Sequence, residues 1–271
     1  MARTWPAIEV QIAASDLLLA LVDDFEPTAV EENESGVRIY FPTAAARDAA
    51  LEAVQSAAPA HATDVPDEDW ARRSQEGLEP VTVGKLTILP NPESRIPNPS
   101  SPRSSAIVIL PSMGFGTGHH ATTRLCLEAL QAIDLTNAVV LDVGTGSGVL
   151  AIAADRLGAA RATGIDNDAD AIQSARDNLA LNPAARQIEV DVADLNRAVL
   201  PLADVLTANL TGALLVRSSQ TLLSAVQPGG TLILSGVLAD ERDEVVRAFA
   251  PAAVVWEREE EGWIGVIMKK S

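Results

Sequence analysis

The sequence predicts an α/β protein in which a Rossmann-like, mostly parallel sheet with helices on both faces follows a small α+β domain. Three observations support this prediction. A β-branched run from Val139 ends in a glycine-rich turn and continues as a helical segment, which is how a nucleotide-binding sheet begins. Strand and helix patterns alternate from Thr122 to the C-terminus. Residues 7–66 follow the order βαββαβ, which is typical of the ferredoxin-like sandwich.

The first domain is predicted from short alternating strands and two helices, the first of which Ser15 and Asp16 can cap. We place domain boundaries at 1–66, 67–104 and 105–271, and interpret the middle segment as a linker. The predicted elements before residue 105 are strands at 7–13, 28–30, 37–41 and 62–65, helices at 16–21 and 43–57, a linker helix at 67–80, strands within 81–89, and a loop at 90–102.

The second domain is predicted from the regular succession of apolar runs and amphipathic segments, which implies parallel strands joined by crossover helices. Its last two strands are expected to form an antiparallel closing pair. The predicted strands are 106–110, 139–143, 161–165, 187–190, 205–209, 231–235, 253–258 and 263–268, and the predicted helices are 122–133, 148–157, 169–181, 213–226 and 240–249.

Composition excludes several functional classes. The net charge of −17 and a pI of 4.5 make direct binding to nucleic acid unfavourable and would attract a basic partner, although acidity can also serve solubility alone. A single cysteine, Cys126, excludes an internal disulfide and a cysteine zinc site. No apolar run reaches the length of a membrane span, and the N-terminus lacks the apolar core of a signal peptide. A cytoplasmic protein is expected.

The glycine-rich turn has the spacing G-x-G-x-G, with Val149 where a dinucleotide fingerprint would have its third glycine. Gly144 and Gly146 allow a ligand to approach the backbone closely, and the N–H groups that open the following helix are expected to face that ligand. Asp166 follows Gly144 by 22 residues, the place of an acid that binds a ribose diol. Together these features resemble S-adenosylmethionine-dependent methyltransferases more than nicotinamide enzymes.

Four residues stand at the carboxyl ends of predicted strands, where ligands of such sheets bind, and we therefore expect them to lie near one another: Gly144, Asp166, Asp191 and Asn209. Asp191 would contact an adenine amine or remain a solvated surface acid.

A second glycine-dense stretch, residues 114–123, precedes the first helix of the sheet domain. Phe115 in it can cover an adenine or methionine group, and Thr122 or Thr123 can cap the helix and offer a hydroxyl to the ligand. The adjacent histidines 119 and 120 do not indicate a metal site, because neighbouring residues rarely converge on one ion.

The motifs G-F-G-T-G-H-H-x-T-T-R-L, V-L-D-x-G-T-G-S-G-V-L-A-I-A-A, G-I-D-x-D, A-N-L and L-S-G-V-L resemble the bacterial ribosomal protein L11 methyltransferases. The resemblance implies a seven-stranded class I methyltransferase domain behind a small substrate-recognition domain. It also implies S-adenosylmethionine as cofactor, bound through Thr123, Gly144, Asp166 and Asn209, and methyl transfer to lysine and N-terminal amines of a basic ribosomal protein.

Asn209 is the predicted catalytic residue, because its side-chain carbonyl can orient the hydrogens of an attacking amine. The protein is expected to act as a monomer, without a metal, a membrane or direct contact with nucleic acid. Three alternatives remain at this stage: the same chemistry on another protein or a small amine, a catalytically silent cofactor-binding module, and, less well supported by the glycine spacing, a nicotinamide dehydrogenase.

Overall fold

Contacts in a computed structural model divide the 271-residue chain into two compact units, Met1–Glu76 and Gly77–Ser271. The described residues are 4–11, 18, 21–22, 25, 27–33, 36–55, 58–66, 78–94, 106–110, 118–195, 197 and 199–271.

The first unit contains a four-stranded antiparallel sheet in the order β2-β3-β1-β4 and one long described helix. Ile8 and Val10 on β1 point to the same side, as alternation along a strand requires, and pack with Val54 of the helix. The elements are β1 Thr4–Val10, β2 Ala29–Asn33, β3 Gly36–Tyr40, α1 Ala44–Gln55 and β4 Ala60–Pro66.

The helix predicted at 16–21 falls largely outside the described residues. Leu18 and Val22 are helical and buried in the same apolar cluster as β1 and α1. The ferredoxin-like description of this unit therefore stays a prediction. Strand β1 begins at Thr4, earlier than the predicted residue 7, because Trp5 and Pro6 also pair with β4.

The second unit is built on a seven-stranded sheet in the order β10-β9-β8-β11-β12-β14-β13. The five strands from β10 to β12 are parallel, and β14 is antiparallel to both of its neighbours. Its elements are α2 Ala121–Gln131, β8 Val139–Val143, α3 Val149–Arg156, β9 Arg161–Asp166, α4 Ala169–Leu181, β10 Ile188–Val192, β11 Ala203–Asn209, α5 Gly212–Ser224, β12 Val226–Leu238, α6 Arg242–Ala248, β13 Ala253–Glu260 and β14 Trp263–Lys269.

This topology confirms the predicted Rossmann-like α/β sheet and its antiparallel closing pair. Two large apolar clusters cover the sheet: one contains residues of α2 and α3, and the other contains residues of α5 and α6. Strand β12 is longer than the predicted 231–235, since Val226 also pairs with Ala203 of β11, beyond an irregularity in the register. The strand order reverses between β8 and β11, which places a crevice at their carboxyl ends.

A separate three-stranded sheet belongs to the second unit and consists of β5 Val81–Val83, β6 Leu86–Leu89 and β7 Ala106–Val108. Ile88 and Ile107 on this sheet are fully buried in the cluster that contains α2 and α3. Residues 81–89, which we predicted as part of the linker, thus pack in the core of the second unit. Of the predicted linker helix, residues 78–80 are not helical and residues 67–77 lie outside the described part.

Cys126 is buried within α2, and burial raises the pKa of its thiol, as does the negative charge of Asp142 nearby. In the described part of the chain, no helix is both long and apolar enough to cross a bilayer.

Candidate functional site

Three of the predicted site residues lie in one row across neighbouring strands. Val143 on β8 pairs with Ile165 on β9 and with Ala208 on β11. The next residue of each strand is Gly144, Asp166 or Asn209, so all three stand at the carboxyl edge of the sheet. Adjacent strands are about 4.8 Å apart, which brings these residues within the span of one small ligand. The structure thus assembles the predicted row at the point where the strand order reverses.

Gly144 has a φ of +71°, a left-handed conformation that suits glycine far better than any other residue. Its N–H donates to the carbonyl of Ile165 at 2.8 Å, which turns the chain back across the end of β9. A Cβ at this position would lie 2.5 Å from Cδ2 of Leu210, the residue after Asn209. The turn therefore brings the backbone of β8 directly against the end of β11.

Five N–H groups at the glycine-rich turn are engaged inside the protein, contrary to the expectation that the N–H groups which open the helix face a ligand. Those of Gly144 and Thr145 donate to the Ile165 carbonyl, and that of Gly148 donates to the Thr145 carbonyl. Gly146 donates to Oδ2 of Asp166 at 3.0 Å, and Val149 donates to Oγ of Ser147 at 3.3 Å. A pyrophosphate needs such donors. The turn consequently fits a nucleoside without phosphates better than a dinucleotide.

Asp166 ends β9 and is held on both sides by backbone donors. Its Oδ2 accepts from the Gly146 N–H at 3.0 Å, and its Oδ1 accepts from the Asp168 N–H at 3.1 Å. A carboxylate has about four lone-pair positions, so acceptor capacity remains for hydroxyl groups of a ligand. The half-buried carboxylate is thereby oriented by the glycine-rich turn, in keeping with its predicted role at a ribose diol.

Asp142 is a structural residue to which the sequence interpretation gave no role. It is fully buried beneath the glycine-rich turn, and its two oxygens accept from the hydroxyls of Thr145 and Thr207, both at 2.6 Å. It thus ties the turn to β11. Burial raises the pKa of Asp142 to about 6, although the two hydroxyl hydrogen bonds act in the opposite direction. The available signal was an acid within an otherwise apolar strand, which rarely stays unpaired when buried.

We expect the buried carboxyl of Asp142 to destabilise the protein as pH rises. Its pKa is 3.8 ordinarily and about 6 when folded, so only the unfolded chain ionises between these values and the free energy of unfolding falls there with increasing pH. Asp142→Asn removes this titration. In urea unfolding, the free energy of unfolding of Asp142→Asn relative to that of wild type should therefore rise from about pH 4 to pH 7, by on the order of 1 kcal/mol or more.

Asp134→Asn is the control for this pH experiment. The pKa of the exposed Asp134 carboxyl is lowered by hydrogen bonds from Thr136, so its loss should give a pH trend of the opposite sign. A stability difference between wild type and Asp142→Asn that is flat with pH would contradict the buried, protonatable state.

Thr123 lies in the first turn of α2 and is buried, as is Thr122. The helix cap is His120, whose Nδ1 accepts from the Thr122 N–H at 3.4 Å, so the prediction that Thr122 or Thr123 caps the helix was wrong. Because the ring nitrogen of His120 accepts from the N–H of Thr122, two residues later, no threonine side chain is needed as the cap. Phe115 lies outside the described residues.

Asp191 stands on β10 opposite Ile165, one residue before the level of Asp166. Its side chain is exposed, and its Oδ1 accepts from the N–H of the next residue, Val192, at 2.9 Å. The structure therefore brings Asp191 to the same sheet edge but joins it to no other predicted site residue through a described hydrogen bond. Its contact with an adenine amine stays a prediction.

The two adjacent histidines fix the start of α2. His119 Nε2 lies 3.0 Å from the Glu79 carbonyl, and the His120 ring meets Trp263 edge to face with 5.2 Å between centroids. Arg124 donates to the His119 carbonyl and to the carboxylates of Glu260 and Glu261 at 2.7 and 2.9 Å. The hydrogen bond to Glu260 contributes most to a raised pKa of Arg124. These contacts anchor the segment that carries Thr123 to the β13–β14 hairpin.

Comparison with known proteins places the chain in a family. The family described as ribosomal protein L11 methyltransferase (PrmA) matches residues 6–271. A ribosomal protein L11 methyltransferase of Geobacter metallireducens is 36% identical over 92% of both chains, and one of Pelobacter propionicus is 40% identical over 76% of this chain and 68% of its own.

Among solved structures, the ribosomal protein L11 methylase of Lactobacillus delbrueckii subsp. bulgaricus matches with a TM-score of 0.64 and 27% identity, over 72% of this chain and 99% of that chain. The family match spans both units, and the relatives are similar well beyond the glycine-rich turn. The resemblance stated from the motifs is confirmed, and the chain belongs to the ribosomal protein L11 methyltransferase family.

Proposed function

We propose that the protein transfers methyl groups from S-adenosylmethionine to lysine and N-terminal amines of ribosomal protein L11. The observation that carries the proposal is the row of Gly144, Asp166 and Asn209 at the switch point of the sheet, with the N–H groups of the turn engaged internally. Such a site suits a nucleoside without phosphates. Membership of the L11 methyltransferase family supplies the reaction and the substrate.

The residues present fit this cofactor. The left-handed conformations of Gly144 and Gly146 form the tight turn at the sheet edge, and Asp166 can accept hydrogen bonds from the ribose hydroxyls. Thr123, Asn209, Asp191 and Phe115 complete the proposed binding residues. None of these residues is cationic, as expected for a ligand that carries a positive sulfonium and no phosphate.

The reaction asks the protein mainly to place two groups. The cofactor supplies a methyl group already activated on a positive sulfur. The amine must be neutral and aligned at about 3 Å from that carbon, which converts a bimolecular step into an oriented one. Burial lowers the pKa of a lysine amine and so favours its neutral form. The side-chain carbonyl of Asn209 then accepts a hydrogen bond from the amine and directs its lone pair towards the methyl group.

The substrate is proposed to be recognised through charge and through the first unit. The net charge of −17 attracts a basic ribosomal protein and disfavours direct contact with nucleic acid. Residues 1–66 form the proposed recognition domain, and the second unit, which begins at Gly77, carries the proposed catalytic residue. The protein is proposed to act as a cytoplasmic monomer, without a metal ion.

The decisive experiment mixes the purified chain with isotopically labelled S-adenosylmethionine and purified ribosomal protein L11, and follows the label by mass spectrometry. We expect label on lysine and N-terminal amines, and none on L11 whose amines have been acetylated. Label on another lysate protein or a small amine, but not on L11, would select the alternative substrate. Cofactor binding without any transfer would select a silent binding module.

Removing residues 1–76 should separate cofactor binding from substrate recognition. Every described member of the two apolar clusters of the second unit lies at position 81 or later, so these clusters contain no described residue of the first unit. Calorimetry with S-adenosylhomocysteine should therefore give a dissociation constant within about twofold of the full chain. Transfer to L11 should fall by about 100-fold or more, because L11 would be bound at the methylation site alone and no longer by the first unit as well.

Circular dichroism of the shortened chain checks that the sheet persists. A free lysine-rich peptide serves as control substrate, since its methylation should change far less than that of L11. Transfer to L11 at the full-length rate would show that the first unit is not the recognition domain.

A further inference from the structure

Two buried asparagines in and next to α4 are not accounted for by the proposed function. Asn178 lies within the helix, and Asn182 is the C-cap residue that follows its last turn. Their exposed fractions are 1% and 2%. A buried amide is unfavourable unless its donors and acceptor are paired, so the partners of these side chains show what they hold in place.

The side chain of Asn182 pairs with the backbone of β7 in the way that a neighbouring strand would. Its Oδ1 accepts from the Val108 N–H at 3.0 Å, and its Nδ2 donates to the Val108 carbonyl at 2.7 Å. The same Nδ2 also donates to the carbonyl of Asn178 at 2.8 Å. None of these contacts reaches the glycine-rich turn, so Asn182 fastens α4 to the three-stranded sheet only.

Asn178 joins the segment after β7 to the glycine-rich turn of the candidate site. Its Oδ1 accepts from the N–H of Leu110 at 2.9 Å, two residues after the end of β7. Its Nδ2 donates to the carbonyl of Ser147 at 3.0 Å, within the glycine-rich turn. The turn is thus held at consecutive residues, Gly146 by the carboxylate of Asp166 and Ser147 by the amide of Asn178.

Close packing reinforces this bridge. A Cβ at Gly148 would lie 3.3 Å from the Cβ of Ala175, so α4 rests directly on the turn one helical turn before Asn178. Because Asp166 and α4 belong to one continuous segment, movement of the Ser147 carbonyl away from α4 would also pull the Gly146 N–H from the Asp166 carboxylate.

We propose that Asn178 is a positioning residue for the methyl donor, which sets the distance between the glycine-rich turn and Asp166 without touching the ligand. This inference rests on the proposed function, since it assumes that S-adenosylmethionine binds between these two groups. Asn182 caps the same helix and shares the burial and the residue type, but none of its described hydrogen bonds reaches the turn. It therefore separates positioning from general support of the fold.

The experiment compares Asn178→Leu with Asn182→Leu, two nearly isosteric changes that remove the polar contacts. Thermal unfolding without ligand gives the loss of stability, and calorimetry gives the dissociation constant of S-adenosylhomocysteine. Both variants should unfold at lower temperature than wild type. Only Asn178→Leu should weaken binding, by about fivefold or more, with a matching rise in the KM for S-adenosylmethionine.

If Asn178→Leu does not fold, Asn178→Ser, which leaves room for a bridging water, is compared with Asn182→Ser in the same way. Equal losses of affinity in the matched pair, or unchanged affinity in the Asn178 variant, overturn the inference while wild-type binding still supports the proposed function. A wild-type chain that fails to bind S-adenosylhomocysteine overturns both.

Discussion

Replacing Asp166 by alanine should weaken the binding of S-adenosylhomocysteine by more than tenfold, or about 1.4 kcal/mol. The proposed site asks the Asp166 carboxylate to accept hydrogen bonds from the ribose hydroxyls, and hydrogen bonds to a charged acceptor contribute more than neutral ones. The same carboxylate accepts from the Gly146 N–H at 3.0 Å, so its removal also loosens the turn. Isothermal calorimetry at fixed ionic strength measures the loss directly.

The matched control is Asp168→Ala. Asp168 caps α4 by accepting from the Asp170 N–H at 2.9 Å, so its loss should cost about 1 kcal/mol of stability but little affinity. A cofactor analogue without the 2′- and 3′-hydroxyls distinguishes direct contact from loosening of the turn. In wild type the analogue should bind more weakly than the parent, and in Asp166→Ala the two should bind alike. Equal affinities of wild type and Asp166→Ala would remove Asp166 from the site.

Local patterns in the sequence determine much of the sheet domain. The bounds of β8 and α4 were predicted at 139–143 and 169–181, and the structure has the same bounds. In both cases the signal lies within the segment itself, as a β-branched run before a glycine or as an aspartate cap before an amphipathic helix. The row of Gly144, Asp166 and Asn209 follows from the rule that parallel strands end at a common edge.

Contacts between distant segments could not be predicted from these patterns. Asn178 meets Leu110 across 68 positions, and Thr207 meets Asp142 across 65. The packing of β6 against the sheet domain was equally hidden, because an apolar run of four residues does not reveal which core it joins. Whether the N–H groups of the turn donate inside the protein depends on the positions of the Ile165 carbonyl and the Asp166 carboxylate at the end of β9. These positions must be known to within hydrogen-bond distance. A single sequence therefore predicts the bounds of helices and strands better than it predicts which distant residues they contact.

Replacing Gly236 by alanine should strongly reduce methyl transfer, although Gly236 lies on β12 and is none of the proposed site residues. Gly236 has a φ of +81°, and a Cβ there would lie 2.3 Å from the carbonyl oxygen of Leu210 and 2.8 Å from its carbonyl carbon. These are backbone atoms, and the Leu210 N–H is bound to the Ser235 carbonyl at 3.0 Å, so they cannot move aside freely. The strand end that carries Asn209 must therefore shift.

Gly229→Ala provides a control on the same strand. Its φ is +75°, and a Cβ would meet no atom within 4 Å, so alanine there incurs only the left-handed strain of roughly 1–2 kcal/mol. Gly236→Ala incurs similar strain and the backbone clash as well. Thermal unfolding of both variants measures the common part, and any excess loss of stability in Gly236→Ala reports the displacement of Leu210.

The loss of function should then identify what Asn209 does. If its carbonyl aligns the amine, a displacement of about 1 Å lowers kcat for transfer to L11 by about 100-fold in Gly236→Ala, whereas Gly229→Ala keeps a rate near that of wild type once corrected for folded protein. If Asn209 serves only to bind cofactor, the same displacement raises the KM for S-adenosylmethionine and leaves kcat in place. Unchanged kcat and KM in Gly236→Ala would place the reacting amine away from the end of β11.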